Sequence, residues 1–187
     1  MNQNAIEARG KSLEEAFFSK QNQDLINKLH AKKAAEESKD NLRASTGIKN
    51  DSVLDNLVSS GVSVSTMTAL TMVPLVTVAW ADGQMEEKER KAVIKAAHEQ
   101  GITDGSDASL LLDQWLSTKP NNMLFKTWKD YVSALKEIMP AAAFEALKGQ
   151  VVSCANSVAD SAGGILGIAS ISNVEKQAIS SIEAAFS

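Results

Sequence analysis

The chain has 187 residues, 44% apolar and 22% charged, the proportions of a folded globular protein rather than a disordered tail or a disulfide miniprotein. Lys and Arg number 19 against 23 Asp and Glu, and the resulting net charge of -4 sets up no field that would concentrate DNA, RNA or anionic lipid, so no nucleic-acid partner is expected. One cysteine, Cys154, cannot form an internal bridge; among Val151, Val152 and Val158 it reads as packing, which points to a reducing, cytoplasmic compartment.

The first residues, Met1 to Gly10, have no apolar run of the secretory type, so no signal peptide is expected. Met67 to Ala81 and Ala162 to Ile171 are the most apolar stretches. Both fall short of the roughly 20 residues that span a bilayer, and Pro74 or glycines interrupt them, so no transmembrane helix is expected.

Eight basic and seven acidic residues lie between Met1 and Ser45, whereas Gly149 to Ser187 carries only Asp160, Glu175, Lys176 and Glu183. Ser12 and Glu15 form a capping-box pair that predicts a helix start, followed by Phe17, Phe18, Leu25, Ile26 and Leu29 at near-helical spacing. The continuation, Ala31 to Ala44, is rich in Ala, Glu and Lys, with helical propensity and almost nothing to bury. The first 47 residues therefore read as a charged helical arm and residues 48–187 as a helical domain.

Thr46 and Gly47 end the arm, and Asp51 is expected to cap a short helix through Val53, Leu54, Leu57 and Val58 that stops at Gly61. Pro74 predicts a break near Val73 inside the apolar stretch that starts at Met67, because proline removes a donor and clashes with the preceding turn. Asp82-Gly83 is a turn leading into a helix from Glu86 to Gln100, with Val93, Ile94, Ala96 and Ala97 inward and Gly101 as terminator. Asp107 is expected to cap Ala108 to Leu116.

Leu124, Phe125, Trp128, Tyr131, Leu135 and Ile138 predict a helix from about Asn121 to Met139, closed by Pro140. Another helix spans Ala141 to about Ala159, and a glycine-containing turn runs from Gly163 to Gly167. Ser172 and Glu175 form a second capping box before the last helix, which runs through Phe186. Strand-like alternation is absent. The predicted fold is all-α, a compact bundle of seven to eight helices with an extended charged N-terminal helix.

The segment Val78-Ala79-Trp80-Ala81-Asp82-Gly83-Gln84-Met85-Glu86-Glu87-Lys88-Glu89-Arg90 carries the most chemistry. Its Asp-Gly turn, the apolar residue two positions on and the Glu seven after the Asp match the back half of an EF-hand loop. Val78 and Trp80 then fall on the first and third ligand positions, where neither binds calcium, so a complete calcium loop is excluded. A helix-turn-helix corner, in which Gly83 supplies the turn and Glu89 accepts backbone amides, stands beside a metal site as the second reading.

These residues, with their flanking helices, resemble the TerB-like, tellurite-resistance-associated family, which carries an apolar helix, an Ala-Asp-Gly turn and a Glu-bearing helix. Here the matching residues are Ala79-Trp80-Ala81-Asp82-Gly83 with Glu86, Glu89 and Arg90, and the resemblance extends over roughly Thr66 to Ser187. The family pattern often recurs in the second half of the domain. A degenerate copy is found in Val158-Ala159-Asp160-Ser161-Ala162-Gly163-Gly164, then Ser172, Val174 and Glu175, with Gly163 where the turn Asp would stand.

The resemblance implies a non-enzymatic binding or sensing module of stress and tellurite-resistance systems, with a protein partner. It also implies that Asp82, Glu86 and Glu89, with water, are the candidate ligands of a divalent cation, the only cofactor suggested.

The stretch Arg9-Gly10-Lys11-Ser12-Leu13-Glu14-Glu15-Ala16-Phe17-Phe18-Ser19-Lys20, with Leu25, Ile26, Leu29 and His30, is similar to the inhibitory stretch of the mitochondrial ATP-synthase inhibitor protein. The similarity implies that Phe17, Phe18, Leu25 and Leu29 bind a partner groove, in the alternative case that of a rotary ATP synthase, while packing of the same residues onto the chain's own bundle stays open.

No catalytic constellation stands out. His30 and His98 lack metal-ligand spacing, Cys154 has no basic neighbour to lower its pKa, and Ser153 and Ser172 have no recognisable His-Asp arrangement. Trp80, Trp115, Trp128, Met123 and Met139 read as core, with a ligand pocket between helices as the other possibility.

Overall fold

The computed structural model describes residues 31–162 and 171–187, and among them every regular element is helical. Helix α1 covers residues 31–46 and ends at Gly47, whose φ of +75° closes the turn. The others are α2 (Asp51–Ser59), a 3-10 helix (Met67–Met72), α3 (Val73–Ala79), α4 (Glu87–Glu99), α5 (Asp107–Ser117), α6 (Asn122–Ile138), α7 (Ala141–Ala162) and α8 (Asn173–Ala184). The all-α architecture expected from the sequence is therefore the observed one. No helix among the described residues is long and apolar enough to cross a membrane.

Pro74 acts as expected, by opening rather than kinking a helix. The 3-10 helix ends at Met72, and α3 starts at Val73 with the proline in its first turn, where its missing N–H costs nothing. Six of the seven α3 residues are buried, and α4, α6, α7 and α8 all pack on it. α7 lies against both α3 and α4, α8 against α3 and α7, and α6 joins α2 to this centre. Phe186, just beyond α8, ties three helices together: its ring meets Trp128 of α6 edge-on at 5.8 Å and Phe144 of α7 at 5.4 Å.

Two helix starts differ from expectation by one residue. Asn50, not Asp51, caps α2, its side chain accepting the amides of Ser52 at 3.0 Å and Val53 at 3.4 Å. Asp51 instead accepts from Arg43 of α1 at 2.7 Å, and Asp55 pairs with Lys39 at 2.7 Å. Ser106, not Asp107, caps α5 by accepting the Ser109 amide at 3.1 Å. α7 also runs three residues further than the predicted end at Ala159, and of the four α4 residues expected inward, Ile94 and Ala96 are only half-buried.

The expectation that residues 31–44 have almost nothing to bury is corrected by Leu42, whose side chain is wholly enclosed. Residues 31–37 are exposed, so α1 is solvated over this stretch and anchored towards its end. The capping box at Ser12 and Glu15 lies outside the described residues.

This anchoring predicts an asymmetry within α1. Leu42→Ala should lower unfolding free energy by about 2–5 kcal/mol, the usual range for emptying a buried leucine site. Lys33→Ala should stay within about 0.5 kcal/mol. Urea denaturation followed by circular dichroism checks both, and equal effects would mean that α1 is not part of the core.

Candidate functional site: the corner between α3 and α4

α3 ends at Trp80, whose amide bonds the Val76 carbonyl at 3.1 Å, and the chain then reverses through Ala81-Asp82-Gly83. Gly83 has φ +91°, a conformation that L side chains rarely adopt, and its amide donates to the Trp80 carbonyl at 3.0 Å. Asp82 folds its carboxylate back on the turn and accepts the Gln84 amide at 2.8 Å. Glu86 takes the extended N-cap conformation before α4, and its amide donates to Oε2 of Glu89 at 2.8 Å. The corner is thus held by local backbone bonds, each made possible by a particular residue type.

Long-range bonds fix it to the body. The Trp80 indole N–H donates to the Trp115 carbonyl of α5 at 3.0 Å, and Lys119 Nζ donates to the Trp80 carbonyl at 3.0 Å. Arg90 reaches back from α4 to Asp113 of α5 at 3.3 Å.

Asp82 and Glu86 are exposed, whereas Glu89 is only 4% exposed. Burial pushes the Glu89 carboxyl up to about 7; the negative charges of Asp82, Glu86 and Glu175 push in the same direction, and the bond from the Glu86 amide opposes them. Glu175 is the counterpart of Glu89 in the second half of the chain. It is 7% exposed and sits third in α8, where the Ser172 amide donates to its Oε2 at 2.6 Å and its own amide donates to Ser172 Oγ at 3.3 Å. The domain thus has two buried capping glutamates, and the charge of Glu175 reaches Glu89.

The structure does not gather Asp82, Glu86 and Glu89 into a metal centre. Among the described residues no group of three or more His, Cys, Asp or Glu side chains is placed to hold a metal ion. The reason is local: Asp82 is turned onto the Gln84 amide at the surface, while Glu89 is turned inward as the helix cap. Gly83 supplies the turn and Glu89 accepts one backbone amide, the arrangement of the corner reading. Phe17, Phe18, Leu25 and Leu29 lie outside the described residues.

Other reactive side chains are also occupied. His98 Nε2 meets Asp104 at 2.9 Å in the loop after α4, and burial raises the Cys154 thiol above its ordinary value.

Beside the corner lies a cleft of about 280 Å³ with Trp80, Leu124 and Phe125 in its wall, Val174 and Gln177 from α8, and Lys119 at its edge. Of the five residues that the sequence assigned to the core or to a pocket between helices, only Trp80 lines it. Trp115 and Trp128 are core as expected, but Trp80 is only half-buried and Met123 is 50% exposed. Nothing in the spacing of Lys119 ties it to Trp80, 39 residues earlier; the one hint is the loop-forming Lys119-Pro120-Asn121 run. The chain matches no protein-family model, no characterised protein and no solved structure in the comparisons made.

Glu89 makes folding pH-dependent. Its carboxyl is raised from 4.5 to about 7 in the folded chain, so the folded form keeps a proton that the unfolded form has released between those values. This contribution is fully present below pH 4.5 and is lost as pH rises through about 7, with a ceiling of about 3 kcal/mol at 1.36 kcal/mol per unit. Glu89→Gln keeps an acceptor for the Glu86 amide and should flatten that part of the stability profile, gaining on wild type above pH 7. Urea denaturation across this pH range checks it, and an unchanged profile would show that Glu89 is not the group responsible. Gly83→Ala should cost about 1–2 kcal/mol, the strain of a left-handed L residue.

Proposed function

We propose that the chain is a non-catalytic recognition module of the TerB-like, tellurite-resistance type, a cytoplasmic protein of stress systems that acts by holding a protein partner. The observation that carries this reading is the paired construction of the domain. Apolar α3, the Asp-Gly corner and Glu-bearing α4 are answered by α7 and the capped, Glu-bearing α8. The two hairpins pack reciprocally, α3 on α7, α4 on α7 and α8 on α3, with Glu89 and Glu175 at matching third positions of their helices. This order of helices and approximate internal repeat is what the resemblance implies.

Further support comes from how the polar groups are used. Asp82, Glu89, Glu175 and His98 each make a bond that holds a turn or a helix start. Such groups are spent on shape, which suits a scaffold that presents a surface. Cation binding through Asp82, Glu86 and Glu89 fits less well with this usage.

Affinity capture from native extract, followed by reconstitution with the purified partner, tests the reading. The expected result is a stoichiometric complex of the full chain with a component of a stress or tellurite-resistance system. Turnover of a substrate by the purified chain would overturn it. Calorimetric titration with calcium, magnesium and zinc is expected to give no heat of binding that Asp82→Ala removes; a signal that Asp82→Ala abolishes would restore the cation site.

The second reading, inhibition of a rotary ATP synthase by the N-terminal stretch, predicts that the full chain slows ATP hydrolysis and that Phe17→Ala with Phe18→Ala relieves it. Unslowed hydrolysis discards that reading.

A further inference from the structure

The cleft beside Trp80 combines an aromatic wall with a single ammonium group. Trp80, Leu124 and Phe125 give it an aromatic and apolar wall beside the uncharged Thr77, Asn121, Asn122 and Gln177, and Val174 at its rim is 41% exposed. Among the described residues no Asp or Glu lines it, in a chain with net charge -4. Its one charged group among the described residues is Lys119, held at the edge by its bond to the Trp80 carbonyl. α6 begins in the same wall, with Asn121 as its cap and no acidic residue in its first turn, so the positive end of that 17-residue helix is uncompensated by charge. An apolar hollow with one fixed ammonium and a bare helix start suits a ligand that joins aromatic rings to carboxylates.

The sequence contains one such segment. Phe17-Phe18 is the only pair of adjacent aromatic residues in the chain, and Glu14 and Glu15 come just before it. We propose that the cleft is the docking site for the chain's own Glu14–Phe18 segment, the two rings entering beside Trp80 and Phe125 and the carboxylates facing Lys119 and the start of α6. The inference uses only this juxtaposition of chemistry and the course of α1, and does not depend on the family resemblance.

The course of α1 brings the segment to the right side of the molecule. Arg43 pairs with Asp51 and Lys39 with Asp55, so α1 runs antiparallel to α2. Followed backwards, it therefore travels towards Ser59 and Ser60 at the end of α2. Those serines line a neighbouring hollow that shares Lys119, Pro120, Asn121 and Leu124 with the cleft.

Ala31 lies eight residues, or about 12 Å of helix, before the anchored Lys39. From Ala31 the 13 residues back to Phe18 reach about 20 Å as helix and about 45 Å fully extended, the longer figure being comparable to the whole width of a domain of this size. A tether of this kind supplies an effective concentration on the order of millimolar, so weak contacts suffice for docking.

Paramagnetic relaxation in the full chain tests this. Ala16→Cys in a Cys154→Ser background carries a nitroxide label, and the backbone amides of Leu124 and Val174 and the Trp80 indole N–H are read. The expected result is loss of most of their intensity, unchanged on dilution and absent when an unlabelled isotope-enriched chain is mixed with a labelled unenriched one. Lys119→Glu should restore the intensities, and adding Glu14→Lys and Glu15→Lys should abolish them again; because Lys119 is exposed, its substitution tests the charge pairing without threatening the core. Broadening that appears in the mixed sample overturns docking within one chain and assigns the cleft to the arm of a second copy. No broadening in either sample overturns it as well and leaves the cleft to a separate protein.

Discussion

The burial of α3 is the constraint on which the remaining structure depends. Seven residues, most of them β-branched or proline, have little tendency to form an isolated helix, and a helix that short is marginal in water whatever its composition. It is helical because it is surrounded: α4, α6, α7 and α8 all pack on it, and Thr77 returns its hydroxyl to the Val73 carbonyl at 2.8 Å. Wrapping a helix on every side also fixes where its end must leave the core. Trp80 marks that exit, half-buried, with its indole held by α5 and its carbonyl shared by Gly83 and Lys119.

What leaves the core at Trp80 is an acidic corner whose acids divide by direction. Asp82 and Glu86 point to solvent and Glu89 turns inward, although all three lie within eight residues. Burying Glu89 costs stability that a glutamine would not, and the gain is a helix start set by one short bond to the Glu86 amide. Glu175 repeats the device at α8. The use of the same solution at both hairpins indicates that positioning α4 and α8 on the central pair matters more to this domain than keeping either carboxylate free.

Much of this architecture can be read directly from local chemistry. Pro74, Gly83, Gly101 and the Ser172–Glu175 pair each act through bonds within a few residues, and each behaves as its residue type requires. Where two capping residues stand side by side, as at Asn50-Asp51 and Ser106-Asp107, local chemistry does not choose between them. At α2 the choice is tied to Arg43 and Lys39, which draw Asp51 into ion pairs and leave the cap to Asn50. The candidate site was less readable for the same reason. The spacing of Asp82, Glu86 and Glu89 suggests a shared ligand, but burial and the cap direct Glu89 elsewhere. The Lys119–Trp80 bond and the influence of Glu175 on Glu89 join residues 39 and 86 positions apart, and no periodicity reports them.

The order in which α3 acquires its neighbours has a consequence for biosynthesis. Its covering helices α7 and α8 come late after it, so more than ninety residues must follow Ala79 before α8 is complete. At translation speeds of about 5–20 residues per second, this apolar helix waits for seconds with part of its surface bare. During that interval the nascent polypeptide is a natural client for holding chaperones, and a ribosome that stalls before α8 would release a product whose stickiest element has no cover.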